Sequence, residues 1–372
     1  SKKRIPYLCG FWRFANAYGM TNAERRMLTM KVLLIGGTGK ISMAISRQLL
    51  KEGHELYLIN RGSRNHELDH IADTSPVYLT GDVHREEEMN RLLDGLQFDA
   101  VADFIAFDRS DLERDYRLFH GKTRHFLFIS SASAYQKPLA NYRITESTPL
   151  ANPYWEYSRK KIEGEAYLMH QYRTEQFPIT IVRPSSTYDE RSIPSGIHGS
   201  KGSFSIIKRI LSHKPVIIHG DGTSLWTITH NSDFAKGFIG LLGNIHAIGE
   251  TVHITSDETV TWNQIYAILA DALGCPDFKS VHISSEFLAA CGKQYDMEGA
   301  LLGDKANSVV FDNSKLKQLV PGFTAVKRAD QGIRETVQYI LSHPECQVED
   351  PEFDIWCDKV IAAREAALTS LL

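Results

Sequence analysis

Residues 30–42 read MKVLLIGGTGKIS, an apolar run that stops abruptly at glycines. Val32 to Ile35 show no polar alternation, which predicts a parallel strand buried on both faces. Beyond the glycines, Ile41, Ile45, Leu49 and Leu50 recur roughly on one helical face and Gly53 closes the segment. The link between strand and helix is Gly36-Gly37-Thr38-Gly39-Lys40-Ile41-Ser42. Glycine lets the backbone turn sharply and come close to a ligand, and the free N–H groups of the helix start favour an anion. Strand, turn and helix together predict a seat for a pyrophosphate. The third small position of the turn is Ser42, not glycine.

Working outward, ELYLIN at 55–60, PVYLTGDV at 76–83, FDAVADFIAF at 98–107 and RHFLFISSAS at 124–133 supply further strands. Helical stretches at 85–96 and 111–121 separate the later ones. This alternation predicts an α/β fold, a doubly wound parallel sheet, with a dinucleotide as its ligand. At the end of the second strand an acid would hold an adenosine ribose and favour NAD. The chain has Asn60-Arg61-Gly62-Ser63-Arg64 there instead. A planar guanidinium suits a 2′-phosphate, so Arg61 and Arg64 tilt the expectation to NADP over NAD. The alternative is that both arginines are solvated loop charges.

Tyr157 and Lys161 stand four apart in YSRKK, which stacks them on one face of a helix. They follow the strand FLFISSASAY, which offers Ser131 near its carboxyl end, the edge where open α/β sheets bind ligands. Oxidising or reducing a carbinol requires a group that takes or gives a proton as hydride moves. A free tyrosine has a pKa of about 10, so a nearby ammonium and an oxidised nicotinamide are needed to favour its phenolate. Lys161 would also hold the nicotinamide ribose, and Ser131 would orient the substrate oxygen. Taken singly, each residue is equally an ordinary strand-end or helix side chain; the three together point to catalysis.

These motifs resemble the extended short-chain dehydrogenase/reductase superfamily, NAD-dependent epimerase/dehydratase type, over about residues 30–340. GGTGKIS is similar to the family's GGTGFIG turn, and ISSASAY to its catalytic serine strand. The resemblance implies cofactor contacts from Asp82 and Val83 in GDV, from Phe104, Ile105 and Ala106 in DFIAF, and from Arg183, Pro184 and Ser185 in IVRPSSTYD. GDGTSLWTITHNSDFAKG resembles the later GDGxxxRDFxHVxDxA segment. The chain lacks the Asp-Glu pair that dehydratases of the family carry, which argues against dehydration of a nucleotide sugar. Trp226 stands where nucleotide-sugar members often place an arginine for the diphosphate. The expected activity is therefore sugar epimerisation or oxidoreduction at a carbinol or ketone carbon. Net ketoreductase or dehydrogenase turnover is the alternative, as is a non-catalytic dinucleotide-sensing or RNA-binding role like that of the chloroplast stem-loop RNA-binding branch.

Loops at the same edge offer Ser133, Tyr135, Gln136, Tyr188, His198 and Trp226 as substrate contacts, while His230 reads more readily as a structural histidine. A net charge of −3 disfavours nucleic acid, which rewards a basic excess. The 15 histidines show no metal-ligand spacing, so no metal is expected. No apolar run is long enough for a membrane span, and five scattered cysteines point to a reducing, cytoplasmic setting. With 372 residues, roughly two domains are expected. Residues 30–185 form the Rossmann dinucleotide-binding part, to which 224–250 returns. Residues 186–345 form a smaller mixed α/β substrate-binding domain. Residues 346–372 form a terminal packing helix, a homodimer contact or a lid. Residues 1–29, basic and rich in aromatics, read as a flexible extension.

Overall fold

A computed structural model of the chain describes residues 29–372, apart from positions 70 and 73. The basic N-terminal extension, but for its last residue, lies outside the described residues. Seven strands form one parallel sheet: β1 (Lys31–Ile35), β2 (Glu55–Asn60), β3 (Val77–Thr80), β4 (Ala100–Asp103), β5 (Phe126–Ile129), β6 (Ile179–Pro184) and β7 (Thr251–Ile254). Their spatial order is β7-β6-β5-β4-β1-β2-β3. Ile35 pairs with Ile59 on one side and Asp103 on the other, so the order reverses at β1 and β4. In sheets of this order, ligands bind beyond the carboxyl ends of the two strands where the order reverses.

The sheet is covered on both faces, as the unbroken apolar strand predicts. Val32, Leu33, Leu34 and Ile35 are wholly buried. Helix α1 (Ser42–Lys51) packs Met43, Ile45 and Leu49 on one face beside Phe234 and Phe238 of a later helix, Asn231–Leu241. The opposite face carries α2 (Glu86–Leu92), α3 (Arg109–Phe119) and α4 (Glu156–Glu175) through Met89, Leu112, Leu118 and Leu168. Each such side chain contributes about 1.5–3 kcal/mol by leaving water. The later helix and β7 thus join the first half of the chain. Nδ1 of His230 caps that helix by accepting from the Ser232 amide.

A separate core gathers the remaining elements around Trp226, Trp262, Tyr266, Ile333, Phe353 and Trp356. Thr261 and Gln264 close a reciprocal capping box at the helix Trp262–Ala272. The terminal helix Pro351–Leu371 buries Phe353, Trp356, Cys357 and Val360 in its first turns. The buried Arg209 fixes it by ion pairs to Asp354 at 2.6 Å and Asp358 at 2.7 Å. Among the elements without a counterpart in the sequence reading, Glu298–Lys305 is a π-helix. No helix among the described residues is long and apolar enough to cross a membrane.

Candidate active site

The glycine turn is held from both sides. Gly36 takes a positive φ of 75°, and a Cβ there would lie 2.5 Å from Ile105 Cγ2. The Gly36 amide donates to the Ile59 carbonyl, tying the turn to β2. Ser42 explains its own departure from glycine: its hydroxyl donates to the Gly36 carbonyl at 2.6 Å and accepts from the Gly39 amide at 2.9 Å. The turn is therefore braced across its mouth by a side chain.

Past β4, both Ile105 and Ala106 amides donate to Oδ1 of the buried Asp103, at 2.6 and 2.8 Å. Arg114 neutralises Asp103 from α3 at 3.1 Å. This bend leaves Ile105 and Phe107 47% and 45% exposed beyond the end of β4, an apolar surface suited to a flat ring. Arg61 is exposed and, among the described residues, has no hydrogen-bond or ion-pair partner. Arg64 differs: it grips Glu67 with two N–H groups, at 2.5 and 3.0 Å. Asn60 turns its Oδ1 to the Gly62 amide, and Asp82 accepts from the His84 amide.

Tyr157, Lys161 and Glu165 form one stripe along α4. The helix comes close to α3 because Gly164 faces Leu112, where a Cβ would stand 2.6 Å away. Lys161 is buried, and its Nζ donates to the carbonyls of Ala106 at 2.7 Å and Ile129 at 2.9 Å. It stands 5.7 Å from the centre of the Tyr157 ring. Burial pulls the ammonium down to about 8, against the opposing pull of Asp103, Asp111 and Glu165. Tyr157 runs counter to expectation: burial raises its phenol, Ser131 lowers it by hydrogen bonding, and Asp304 raises it. The ring rests between Phe107 and Trp155, at centroid distances of 5.4 and 5.0 Å.

Ser131 caps a short turn after β5, and its hydroxyl meets that of Ser133 at 2.8 Å. Ser158 of α4 donates to the same Ser133 hydroxyl at 2.7 Å. Ser131, Ser133, Tyr157 and Trp226 line one cavity of about 240 Å³, with Pro184, Ser185, Trp155, Asp304 and Lys305. The other expected contacts lie elsewhere. Tyr135 is buried, bonding His253 Nδ1 at 3.0 Å, because its ring stacks under Arg183. Arg183 is itself buried in a two-bond pair with Glu165 at 2.9 and 2.5 Å. Tyr188 packs edge-on against His230, its hydroxyl over Gly332. His198 is exposed and bonds the Gly199 carbonyl, and Gln136 pairs by its backbone with Pro149.

Three groups at the site had no local sequence signal. Buried Asn152 donates to the carbonyls of Ser133 and Gly303 and accepts from the Tyr154 and Trp155 amides. Asp304 faces the cavity from the π-helix, and burial pushes its carboxyl up to about 6, with Lys137 and Lys305 opposing. Lys305 turns its ammonium to the Gly196 carbonyl at 3.1 Å. Long-range folding brings these together, so no motif spacing could mark them. No cluster of metal-ligating side chains occurs among the described residues.

Comparison with known proteins agrees with this architecture. The NAD dependent epimerase/dehydratase family matches residues 32–255. The chain is similar to 2′-dehydrokanamycin reductase of Streptomyces kanamyceticus, 25% identical over 79% of this chain and 80% of that protein. It is also similar to the chloroplast stem-loop binding protein of 41 kDa b of Arabidopsis thaliana, 26% identical over 68% of this chain and 65% of that one. Among solved structures, UDP-glucose 4-epimerase from Bifidobacterium longum, in complex with NAD+ and UDP, superposes with a TM-score of 0.66. That match is 18% identical and covers 84% of this chain and 98% of the other. A family match across the sheet, its glycine turn and the Ser131–Tyr157–Lys161 region leaves one assignment: the chain belongs to the NAD dependent epimerase/dehydratase family.

Proposed function

We propose that the chain is a nicotinamide-dependent epimerase or oxidoreductase acting at a carbinol or ketone carbon of a sugar or sugar derivative. The observation that carries this reading is that Ser131 and Tyr157 line one cavity while Lys161 sits buried beneath them. The residues present fit a nicotinamide dinucleotide. An ammonium has three N–H donors, and Lys161 uses two on the Ala106 and Ile129 carbonyls. One is left for a ribose hydroxyl. The turn from Gly36 to Ile41 would take the pyrophosphate, and Ile105 with Phe107 would flank the ring. Arg61 would take a 2′-phosphate, which favours NADP over NAD. When bound, the nicotinamide supplies the hydride acceptor or donor.

The chain's own residues manage the proton. Tyr157 takes the substrate hydroxyl proton as a carbinol is oxidised and returns it as a carbonyl is reduced. Ser131 donates to the substrate oxygen and lowers the phenol. Ser133, held by Ser158, keeps the Ser131 hydroxyl in place. Burial and the Asp304 charge oppose ionisation of Tyr157, so phenolate depends on the positive charges brought beside it. The 2′-dehydrokanamycin reductase likeness favours net reduction, and the epimerase likeness an internal cycle.

The deciding experiment pairs identification of any co-purified dinucleotide with turnover by Tyr157→Phe. Loss of all turnover with dinucleotide binding preserved is the expected outcome. Turnover that survives Tyr157→Phe would overturn the role given to Tyr157, whereas dinucleotide binding with no turnover in the parent chain would leave a binding role, such as that named for the stem-loop relative. Tightly retained NAD(H) would favour the epimerase over net redox chemistry.

A further inference from the structure

We infer that the cavity beside Tyr157 takes a small sugar or polyol free of any nucleotide diphosphate, and that Asp304 accepts a hydrogen bond from one of its hydroxyls. This rests on the reading of Ser131, Tyr157 and Lys161 as the reacting centre.

Asp304 is presented by the π-helix Glu298–Lys305, an uncommon element that recurs at functional sites. Its backbone carbonyl is used by Asn307, but no described group hydrogen-bonds its carboxylate, which lines the cavity. The π-helix is fixed rather than loose. The Lys305 carbonyl collects donors from His219 at 3.2 Å and Trp262 at 3.1 Å, while Gly299 packs against Trp155. A rigid, unpaired acceptor therefore faces the same space as the Tyr157 and Ser131 hydroxyls.

An ionised carboxylate can only accept, so its partner must donate. Sugar hydroxyls donate; a diphosphate offers acceptors alone and carries like charge. Binding a diphosphate calls for guanidinium or ammonium groups. No arginine lines this cavity, and its lysine, Lys305, donates once to the Gly196 carbonyl and keeps N–H donors that a sugar hydroxyl can also use. Trp226, packed against Trp262 at 5.4 Å and almost wholly buried, adds an apolar edge to the lining. At about 240 Å³ the space is below the roughly 300–1,000 Å³ of ordinary ligand pockets, which fits a small ligand at the reacting centre.

The test uses the full chain loaded with its dinucleotide. Calorimetry with UDP and UDP-glucose should show no saturable binding, and UDP-glucose should not be turned over. A panel of free hexoses, methyl glycosides and inositols, followed by dinucleotide absorbance and product analysis, should give turnover. For the panel compound used best, Asp304→Asn should raise KM about 10- to 100-fold with a smaller change in kcat. UDP binding with a Kd below about 1 mM would overturn the inference, as would a silent panel or an unchanged KM in Asp304→Asn. The UDP measurement needs no variant, so it decides even if Asp304→Asn folds poorly. Failure of the catalytic reading is distinct, since it would appear as turnover surviving Tyr157→Phe.

Discussion

Nδ2 of Asn152 donates to the carbonyl of Gly303 at 2.8 Å, across 151 residues of sequence. The same nitrogen donates to the Ser133 carbonyl at 2.9 Å, and Oδ1 accepts from the Tyr154 and Trp155 amides. One side chain thereby fixes the serine turn, the start of the tyrosine helix and the π-helix against each other. Asn152→Ala would strand two carbonyls and two amides, so it should cost about 2–4 kcal/mol. Urea unfolding of the variant checks this. A cost below about 1 kcal/mol would mean that water replaces the amide.

Glu165 forms a buried pair with Arg183, the residue for which the family resemblance implied a cofactor contact. Glu165 also accepts from Ser130, at the end of β5 and next to Ser131. Both partners are almost fully buried, so removing one leaves an uncompensated charge. Glu165→Ala should destabilise the protein by about 3–5 kcal/mol. A Glu165→Leu, Arg183→Met double variant should recover much of that loss. Equal instability of the single and double variants would show that the charge pair is not what matters.

Cofactor choice is predicted by who is free to bind. Arg61 is exposed without a described partner, whereas Arg64 is committed to Glu67. Arg61→Ala should weaken NADPH about tenfold, the loss of one charge-assisted contact, and leave NADH nearly unchanged. Arg64→Ala should do less. Fluorescence titration with both dinucleotides reads the difference, and an equal loss for NADH and NADPH would remove Arg61 from the 2′-phosphate.

The parts of this protein that sequence reveals are those governed by local rules. An apolar strand, a glycine turn and a helix at 3.6 periodicity announce themselves at 30–53, and the repeat of that unit implies the sheet. Ser131, Tyr157 and Lys161 are legible because helix spacing and strand ends decide where they go. Tyr135 and Arg183 misled for a physical reason. They stand at the right edge of the sheet, but their partners, His253 and Glu165, arrive from distant segments and hold them in the core. Asn152 and Asp304 were invisible for the same cause. Their roles depend on a π-helix whose residues read as an ordinary loop until Trp155 and Lys305 are seen to anchor it.

Asp304 couples stability to pH in a direction that can be worked out. Its carboxyl has an ordinary value of 3.8 and is pushed up to about 6 in the folded chain by burial. Between those values the folded protein binds a proton that the unfolded chain does not. Stability therefore falls as pH rises from about 4 to about 6, and the penalty persists above that. A shift of about two units corresponds to at most about 3 kcal/mol. Asp304→Asn removes the penalty but deprives buried Lys137 of its opposing charge, which takes part of the gain back. The variant should be more stable than the parent by about 1–2 kcal/mol near pH 8 and indistinguishable from it near pH 4. Urea unfolding at the two pH values decides the matter. A difference that is the same at both would mean the carboxylate titrates normally. A gain confined to high pH would show a charge kept at a cost in stability, as expected of a group that serves a ligand.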